Sequence, residues 1–210
     1  MKTQFIAALK FLLIMTLITG MIYPLVMTGI AQLIYPSKAN GSLIIKDGRI
    51  IGSELIGQRS DISIYFSSRP SATGYNPIPS GASNYGPTSD TLRKLVDARR
   101  VAFGKVNSVE DLLSIPDEMI FASGSGLDPH ISPESAFLQV DRVAEARHFD
   151  NGQKVKLLSD LKDMTEAPQF FILGKARINV LSLNLKLNEP EYNVPFNPID
   201  LGVNKPEIQK

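Results

Sequence analysis

The sequence contains no cysteine and no tryptophan, and it has only two histidines among 210 residues. Without cysteine the chain forms no disulfide, holds no thiolate metal site and carries neither a cysteine nucleophile nor a lipid attached through cysteine. Its net charge of +1 gives no positive excess for nucleic acid, so no nucleic-acid partner is expected. These absences remove thiol chemistry and nucleic-acid binding from the functions to consider.

A further absence organises the chain, because residues 11–34 include no charged side chain and are mostly Leu, Ile, Met, Val and Phe. A helix of that length rises about 36 Å, and a bilayer hydrocarbon core is about 30 Å thick. A cleaved signal peptide has a shorter apolar core and a small-x-small cleavage site, and neither fits here. We therefore predict one transmembrane helix at 11–34 in the lipid bilayer, after a short leader at 1–10.

Small residues and a proline recur at every fourth position of this span, at Thr16, Gly20, Pro24 and Thr28. That spacing places them on one helix face, where small side chains let a neighbouring membrane helix approach closely. Pro24 lacks a backbone donor and predicts a kink. We expect this face to dock helices of partner subunits.

Charges beside the span are nearly balanced, with Lys2 and Lys10 before it and Lys38, Lys46 and Arg49 after it. The positive-inside rule therefore does not decide the orientation. An amino-terminal anchor with a short basic leader usually leaves its large domain outside. We expect a cytoplasmic amino terminus and an extracytoplasmic domain at the cell membrane.

The remaining chain predicts a linker at 35–42, a soluble α/β domain with long ordered loops at 43–188, and an extended or disordered tail at 189–210. Asp47-Gly48 between β-branched runs predicts a hairpin. Apolar spacing predicts helices at 89–103, 133–147 and 153–164, with Ser132 as N-cap. Strands are predicted at 170–173 and, from strict alternation, at 181–187.

Residues 65–88 are rich in Gly, Pro, Ser and Asn and include three tyrosines. A loop of this length in a compact domain is usually functional or disordered, and disordered segments hold few aromatic residues. We therefore expect an ordered surface loop that wraps around a binding partner.

No residue pattern points to catalysis. The two Ser/Gly-rich stretches each precede a helix, but neither is a G-x-x-x-x-G-K-[ST] phosphate loop. Ser125, Asp128 and His130 lie close in sequence and suggest a tethered serine hydrolase, although Ser123 and Leu127 replace the glycines of a nucleophile elbow. A membrane-anchored surface binding module is the other alternative.

Several long motifs together resemble those of the C subunits of the Kdp potassium-transporting ATPase. The matching segments, in chain order, are Tyr65-Phe66-x-x-Arg69-Pro70-Ser71-Ala72, Ser80-Gly81-Ala82-Ser83-Asn84-x-Gly86-Pro87-Thr88, the run from Ser123 to Pro133, Gln139 with Arg142-Val143-Ala144 and Ala146-Arg147, and Arg177-x-Asn179-Val180-Leu181-x-Leu183-Asn184. With the amino-terminal span, this resemblance covers the chain to about residue 188.

The resemblance implies a noncatalytic, single-span accessory subunit of an ATP-driven potassium uptake pump. Its implied partners are a P-type ATPase subunit, a channel-like potassium-binding subunit and a small fourth membrane subunit. One implied mechanism is a catalytic chaperone that raises the ATP affinity of the ATPase subunit in a ternary complex, with Gln139 touching the nucleotide. The other places the domain outside the cell, where it stabilises the complex or modulates potassium entry. We expect Arg69, Asn84, Asp128 and Arg142 to contact partners.

Overall fold

The computed structural model describes residues 2–46 and 48–192. The chain divides into two compact units, Met1–Leu43 and Ile44–Lys210. The first unit is helical, and the second mixes helices with short strands. A helix that can span a membrane followed by a mixed helix and strand region agrees with the predicted fold class.

The first unit is built on one long helical stretch, Lys2–Ile34, which is long and apolar enough to cross a membrane. It consists of an α-helix at Lys2–Leu17, a π-helical turn at Ile18–Ile22 and an α-helix at Tyr23–Ile34. Residues 2–10, predicted as a leader, belong to the same helix. The linker that follows contains a short helix, Pro36–Ala39.

The π-helical turn lies directly before Pro24, which cannot donate a backbone hydrogen bond to the preceding turn. In a straight α-helix, each step of four residues drifts by about 40° around the axis. A π turn holds more residues than an α turn, so it offsets part of that drift. The bulge thereby keeps Thr16, Gly20, Pro24 and Thr28 closer to one stripe than an uninterrupted α-helix would.

The predicted hairpin is confirmed, because strands Leu43–Lys46 and Arg49–Ser53 pair in a two-stranded sheet. Gly48 adopts a φ of +72°, the left-handed conformation that this turn requires. A second two-stranded sheet pairs His130–Ile131 antiparallel to Ile178–Asn179.

The second unit surrounds one apolar core with helices of different length. Their bounds are Asp90–Asn107, Pro133–Phe137, Val140–Ala146, Asn151–Asp163 and Val180–Lys186, with 3-10 turns at Leu112–Ser114, Asp117–Met119 and Pro190–Tyr192. Fully buried members of the core include Tyr65, Phe66, Ile120, Val143, Leu161, Ile178 and Leu183. Four helix starts are fixed by side-chain caps that accept backbone hydrogen bonds, namely Ser89, Ser132, Asp150 and Asn179.

The strand predicted at 181–187 is wrong, since Val180–Lys186 is a helix. Leu residues at every second position fit a strand, but Val180, Leu183, Asn184 and Leu187 also fit one helix face, and all four are buried. The Asn179 side chain accepts a hydrogen bond from the backbone N–H of Ser182 and starts the helix. The cap therefore decides between two periodicities that the apolar residues allow.

Two predicted helices have different ends in the structure. The helix predicted at 133–147 is interrupted at Leu138 and Gln139. The helix predicted at 89–103 continues through Gly104 to Asn107 and ends at Ser108, whose φ is +54°. Gly104 serves close packing instead of termination, because a Cβ there would lie 2.2 Å from Leu112 Cδ2.

The strand predicted at 170–173 is also wrong. Isolated bridges join Glu166 to Arg177 and Gln169 to Leu173, so the chain forms an irregular hairpin over 166–177. Phe170 and Phe171 turn the chain with φ values of +52° and +63°. We call the exposed residues Phe170, Phe171, Ile172 and Leu173 the apolar tip.

The prediction of an extended or disordered tail at 189–210 is wrong for residues 189–192. Tyr192 is buried, its hydroxyl donates a hydrogen bond to Asp160 Oδ2 at 2.6 Å, and its ring lies 5.1 Å from that of Phe149. Burial, together with the bond to Asp160, raises the pKa of Tyr192. The compact unit thus includes residues 189–192, and the rest of the predicted tail lies outside the described residues.

Candidate functional site

A segment without helix or strand structure, residues 64–67, passes through the middle of the second unit. Tyr65 and Phe66 are fully buried, so their backbone polar groups need partners within the protein. Asn184 supplies those of Phe66: its Oδ1 accepts from Phe66 N at 2.9 Å, and its Nδ2 donates to Phe66 O at 2.9 Å. One side-chain amide thus takes the place of a neighbouring strand.

Gln139, the residue implied to touch nucleotide, is fully buried beside this segment. Its Oε1 accepts hydrogen bonds from the backbone N and the Oγ of Ser67, at 2.8 and 2.9 Å. Its Nε2 donates to the carbonyl oxygens of Ser67 and Ser135, at 3.3 and 3.2 Å. The amide is therefore saturated by internal bonds, and a nucleotide contact stays a prediction that would require the Ser67 backbone to move.

Arg142, expected at a partner, holds the same segment from the helix side. Its guanidinium donates to the carbonyl oxygens of Ile62 and Tyr65 and to Gln139 Oε1, and Nε donates to Asn107 Oδ1 at 2.8 Å. Burial lowers the pKa of Arg142 to about 10, against the opposing charge of Asp61. All of these hydrogen bonds are internal to the unit, and a contact between Arg142 and a partner stays a prediction.

Arg147 completes the arrangement and was not singled out as a site residue from sequence. It is buried, lies 4.4 Å from the ring centre of Tyr65, and donates to Ile64 O at 2.6 Å and Leu187 O at 3.0 Å. Its position four residues after Val143 places a charge in line with the core face of its helix, and Asn184 likewise interrupts an apolar face. The signal available in the sequence for these two residues was a polar side chain at a position where the helical spacing otherwise places apolar ones. We call Gln139, Arg142, Arg147 and Asn184 the clamp.

Arg69 and Asp128 come together as an ion pair at the surface of the unit. Arg69 Nη1 donates to Asp128 Oδ2 at 2.9 Å, and the His130 backbone N donates to Oδ1 at 3.0 Å, with His130 Nδ1 3.6 Å from that oxygen. Burial alone would raise the pKa of Asp128, but hydrogen bonds from His130 and the bond and charge of Arg69 outweigh it and lower the pKa to about 2. Asp128 is therefore a carboxylate at all physiological pH values.

The two Ser/Gly-rich stretches meet beside this ion pair. The backbone N of Ser123 donates to Pro70 O at 3.0 Å, and that of Gly81 donates to Ser125 O at 2.9 Å. Gly126 allows this approach, because its φ is +71° and a Cβ there would lie 2.7 Å from Thr73 Oγ1. Residues 70–88 and 123–128 therefore form one ordered surface, which we call the double loop.

The double loop presents both polar and apolar side chains to solvent. Asn84 is exposed and adopts a φ of +55°, a left-handed conformation that asparagine tolerates better than most residues. Ile78 and Tyr85 are also exposed. Of the residues predicted to contact partners in this unit, Asn84 is thus exposed, Arg69 and Asp128 are half-buried, and Arg142 lies in the clamp.

The residues suggested for a serine hydrolase do not form a relay. Ser125 Oγ accepts from Leu127 N at 3.1 Å, while Asp128 binds Arg69 as well as His130. Within residues 2–46 and 48–192, no hydrogen bond joins Ser125 to His130, and no group of three His, Asp or Glu side chains is placed to hold a metal ion. The geometry therefore offers no activated nucleophile at this position.

A cleft of about 510 Å³ lies between the Asp128–Ser132 stretch and the 166–177 hairpin. Its carboxylates have internal partners. Glu118 Oε1 accepts from Ser132 N and Ser135 Oγ, each at 2.6 Å, and Glu166 pairs with Arg177 at 2.9 Å. Arg177 therefore neutralises Glu166, and neutral donors hold Glu118 in place.

Comparison with known proteins matches this chain to one family over most of its length. The family model of KdpC, the c chain of the K+-transporting ATPase, matches residues 5–189. A potassium-transporting ATPase KdpC subunit from Methylococcus capsulatus is 45% identical over 192 residues, which cover 90% of this chain and 98% of that protein. KdpC subunits from Dechloromonas aromatica, at 44% over 191 residues, and Gemmatimonas aurantiaca, at 47% over 182 residues, cover 90% and 85% of this chain. With the resemblance in its motifs confirmed over both units, the chain belongs to the KdpC family.

Proposed function

We propose that this chain is a noncatalytic accessory subunit of an ATP-driven potassium-transporting complex, which it assembles and stabilises. The names of its relatives, potassium-transporting ATPase KdpC subunits, support the potassium pump. Their similarity extends over nearly their full length, so the proposal concerns the whole chain. ATP hydrolysis is assigned to the P-type ATPase subunit of that complex.

The observation that carries the proposal is the clamp. Its four residues belong to the motifs shared with the family, and they hold residues 62–67 in place through hydrogen bonds instead of facing a reaction centre. This segment leads directly into Arg69 and the double loop. A surface that is ordered before binding loses less conformational entropy on binding, so the clamp favours a docking role.

Two surfaces are proposed to contact partner subunits. In the membrane, the face formed by Thr16, Gly20, Pro24 and Thr28 packs against partner helices, since small residues allow close approach. Outside the membrane, the double loop, together with Asn84, Arg69 and Asp128, contacts a partner subunit. The partners are the P-type ATPase subunit, the channel-like potassium-binding subunit and the small fourth membrane subunit.

The domain is proposed to lie outside the cell, against the channel-like subunit, where it stabilises the complex and modulates potassium entry. A short basic leader before an amino-terminal anchor supports that orientation. The alternative, a chaperone that raises the ATP affinity of the ATPase subunit, has less support, because both ends of the Gln139 amide already have partners. The proposal therefore assigns Gln139 to the fold.

Co-purification of the complex tests the docking role. A tagged full-length chain is expressed with its partner subunits, and the amount of each subunit recovered is compared for wild type, Asn84→Ala and Val155→Ala. Val155 is an exposed residue of the Asn151–Asp163 helix and serves as the control. We expect Asn84→Ala to reduce recovery while Val155→Ala does not.

Thermal unfolding of the same chains separates docking from folding. Asn84 is exposed, so its replacement removes no buried contact, and the strain of alanine at a φ of +55° should lower the melting temperature by only about a few degrees. Recovery of this chain without any partner subunit, in wild type, would contradict the proposed role. Equal recovery of wild type and Asn84→Ala would remove Asn84 from the interface.

A further inference from the structure

The 166–177 hairpin ends in the apolar tip, whose four side chains are exposed to solvent. Phe170, Phe171 and Ile172 expose 82%, 88% and 81% of their surface, and Leu173 is exposed as well. Single exposed apolar residues are ordinary, but four consecutive ones on a protruding turn mark an interaction site.

The conformation of the tip is unfavourable for the residues that form it. Phe170 and Phe171 both lie in the left-handed region, at φ values of +52° and +63°. This conformation is unfavourable for a residue with a side chain, whereas glycine adopts it freely. Neither phenylalanine gains burial inside the unit in return. Their presence is explained if the tip contacts an apolar environment outside this domain.

The backbone of the tip is prepared for such an environment. Within the hairpin, Phe171 N donates to Pro168 O at 3.0 Å, and Ile172 N and Leu173 N donate to Gln169 O at 3.2 and 2.9 Å. Gln169 N donates to Leu173 O at 2.9 Å. Internal bonds thus satisfy the amide donors of Phe171, Ile172 and Leu173, which lowers the cost of moving the tip out of water.

Charge beside the tip is positive. Lys175 follows the tip closely, is exposed and has no ion pair in the described part of the chain. The nearby Glu166 and Arg177 neutralise each other at 2.9 Å. A lysine behind an apolar tip matches the negative charge of anionic lipid headgroups, which attract basic side chains near the membrane surface.

The polypeptide also keeps a bilayer within reach of this unit. Only residues 35–43 separate the candidate membrane helix from the second unit, and a stretch of that length extends about 30 Å at most. Because the tip is covalently tethered to the candidate membrane helix, its contact with the bilayer costs less translational entropy than the binding of a free molecule. Four apolar side chains are then enough for a useful second contact.

We propose that the apolar tip inserts into the interfacial layer of the lipid bilayer, with Lys175 at the headgroup phosphates. The tip is a second membrane contact that orients the domain on the bilayer surface. This inference goes beyond the assembly role and rests on it only in requiring that the Lys2–Ile34 helix lies in a membrane.

The absence of cysteine makes a direct test possible. The full-length variants Ile172→Cys and Leu113→Cys, labelled with a polarity-sensitive thiol probe, are reconstituted in vesicles of phosphatidylcholine and phosphatidylglycerol. Leu113 is a matched control, because its exposure of 83% equals that of Ile172 within a few per cent. We expect spin-labelled lipid to quench the probe at position 172 at least about twofold more than at position 113. Equal quenching would overturn the proposal.

A second set of variants tests which side chains act. Phe170→Ser with Phe171→Ser, in the Ile172→Cys chain, should reduce quenching to the level of position 113 without lowering the melting temperature, since both residues are exposed. Lys175→Glu should weaken quenching in anionic vesicles and leave it unchanged in purely phosphatidylcholine vesicles. Unchanged quenching in the serine variant would overturn insertion, and unchanged quenching in Lys175→Glu would overturn the headgroup contact.

Flotation and the assembled complex distinguish the remaining outcomes. If the chain floats with vesicles after an alkaline wash but its tip is not quenched, the membrane helix stands and the inference fails. If the chain does not float with vesicles, both the membrane helix and the insertion of the apolar tip are contradicted. If the probe at position 172 is shielded only in the complex with partner subunits, and lipid does not quench it there, the tip docks on protein and the bilayer proposal is wrong.

Discussion

Arg69 and Asp128, 59 positions apart in sequence, form an ion pair of 2.9 Å between the residue just before the first half of the double loop and the last residue of its second half. The pair connects residues on either side of a shared surface, so it contributes to the order of both loops. A half-buried pair with a short hydrogen bond is worth more than an exposed one. Its contribution should be visible in the acid stability of the chain.

Replacement of Asp128 should reduce the amount of stability that the chain loses as pH falls from 4 to 2. The pKa of Asp128 is about 2 in the folded chain against 3.8 for an ordinary aspartate, so its stabilising effect is present above pH 4 and is lost as pH falls towards 2. Asp128→Asn should therefore be less stable by about 1–2 kcal/mol at pH 7 and lose less between pH 4 and pH 2.

Urea unfolding of the full-length chain in detergent at several pH values measures this effect. Asp90→Asn is the control, because Asp90 also pairs with an arginine, at 2.9 Å, but is largely exposed. Its acid profile should match that of wild type. A wild-type profile for Asp128→Asn would mean that the pair adds nothing to stability.

Conversion of Asn184 to aspartate should make stability fall as pH rises. The new carboxylate would face the Phe66 carbonyl oxygen, to which the amide now donates. Burial and this repulsion raise the pKa of the carboxyl in the folded state, so protonation stabilises the variant and stability is lost as pH rises through that pKa. At pH 7 we expect a loss of about 3 kcal/mol.

Unfolding at pH 5 and pH 7 reveals the difference between the two states of the carboxyl. Asn84→Asp introduces the same charge at an exposed position and should change the free energy of unfolding by less than about 0.5 kcal/mol. Equal losses at both pH values for Asn184→Asp would show that the amide does not bridge the Phe66 backbone.

Alanine at position 104 should destabilise the chain although alanine favours helices. At an open position the change would gain about 1 kcal/mol. Here the added Cβ would collide with Leu112 Cδ2, and Leu112 packs against the apolar core and would have to shift, so we expect a net loss of about 1 kcal/mol. A double-mutant cycle with Leu112→Ala should recover part of that loss, and additive losses would locate the conflict elsewhere.

Loss of the Gln139 side chain should reduce the amount of assembled complex without changing its use of ATP. Gln139→Ala removes the partners of the Ser67 backbone and should cost about 1–3 kcal/mol. The KM for ATP of the complex that does assemble should stay at the wild-type value. A raised KM with a normal yield of complex would instead favour the chaperone mechanism.

Ser67→Ala is the matched control for that experiment. It removes one hydroxyl bond to Gln139 Oε1 and keeps the glutamine amide, with the backbone bond from Ser67 N. A smaller loss of stability and an unchanged KM for ATP are expected. If Ser67→Ala raised the KM as Gln139→Ala did, the effect would come from movement of the loop instead of from a nucleotide contact.

Features with local causes could be predicted from sequence. Ser132 with Pro133 marked a helix start, Asp47-Gly48 marked a hairpin, and a charge-free run marked the helix that is long and apolar enough to span a membrane, because each is determined by neighbouring residues. The strand predicted at 181–187 failed because its leucines suit both periods, and the cap at Asn179 decided the outcome. At 170–173 apolar composition suggested burial, whereas the chain turns there in the open.

The clamp could not be predicted, because its contacts join distant parts of the chain. The Gln139–Ser67 and Arg147–Ile64 bonds span 72 and 83 residues, and no pattern of spacing connects them. Family resemblance marked the same residues without explaining them. Their chemistry is visible only once the backbone groups that they satisfy are known to be buried.

The Phe66–Asn184 contact spans 118 residues and has a consequence for biosynthesis. During translation, residues 64–67 leave the ribosome long before the Val180–Lys186 helix exists, so the buried backbone of Phe66 must wait for its partner. Contacts of this range form late in folding. A chain truncated before Asn184 would leave the buried amide and carbonyl of Phe66 without the side chain that binds both.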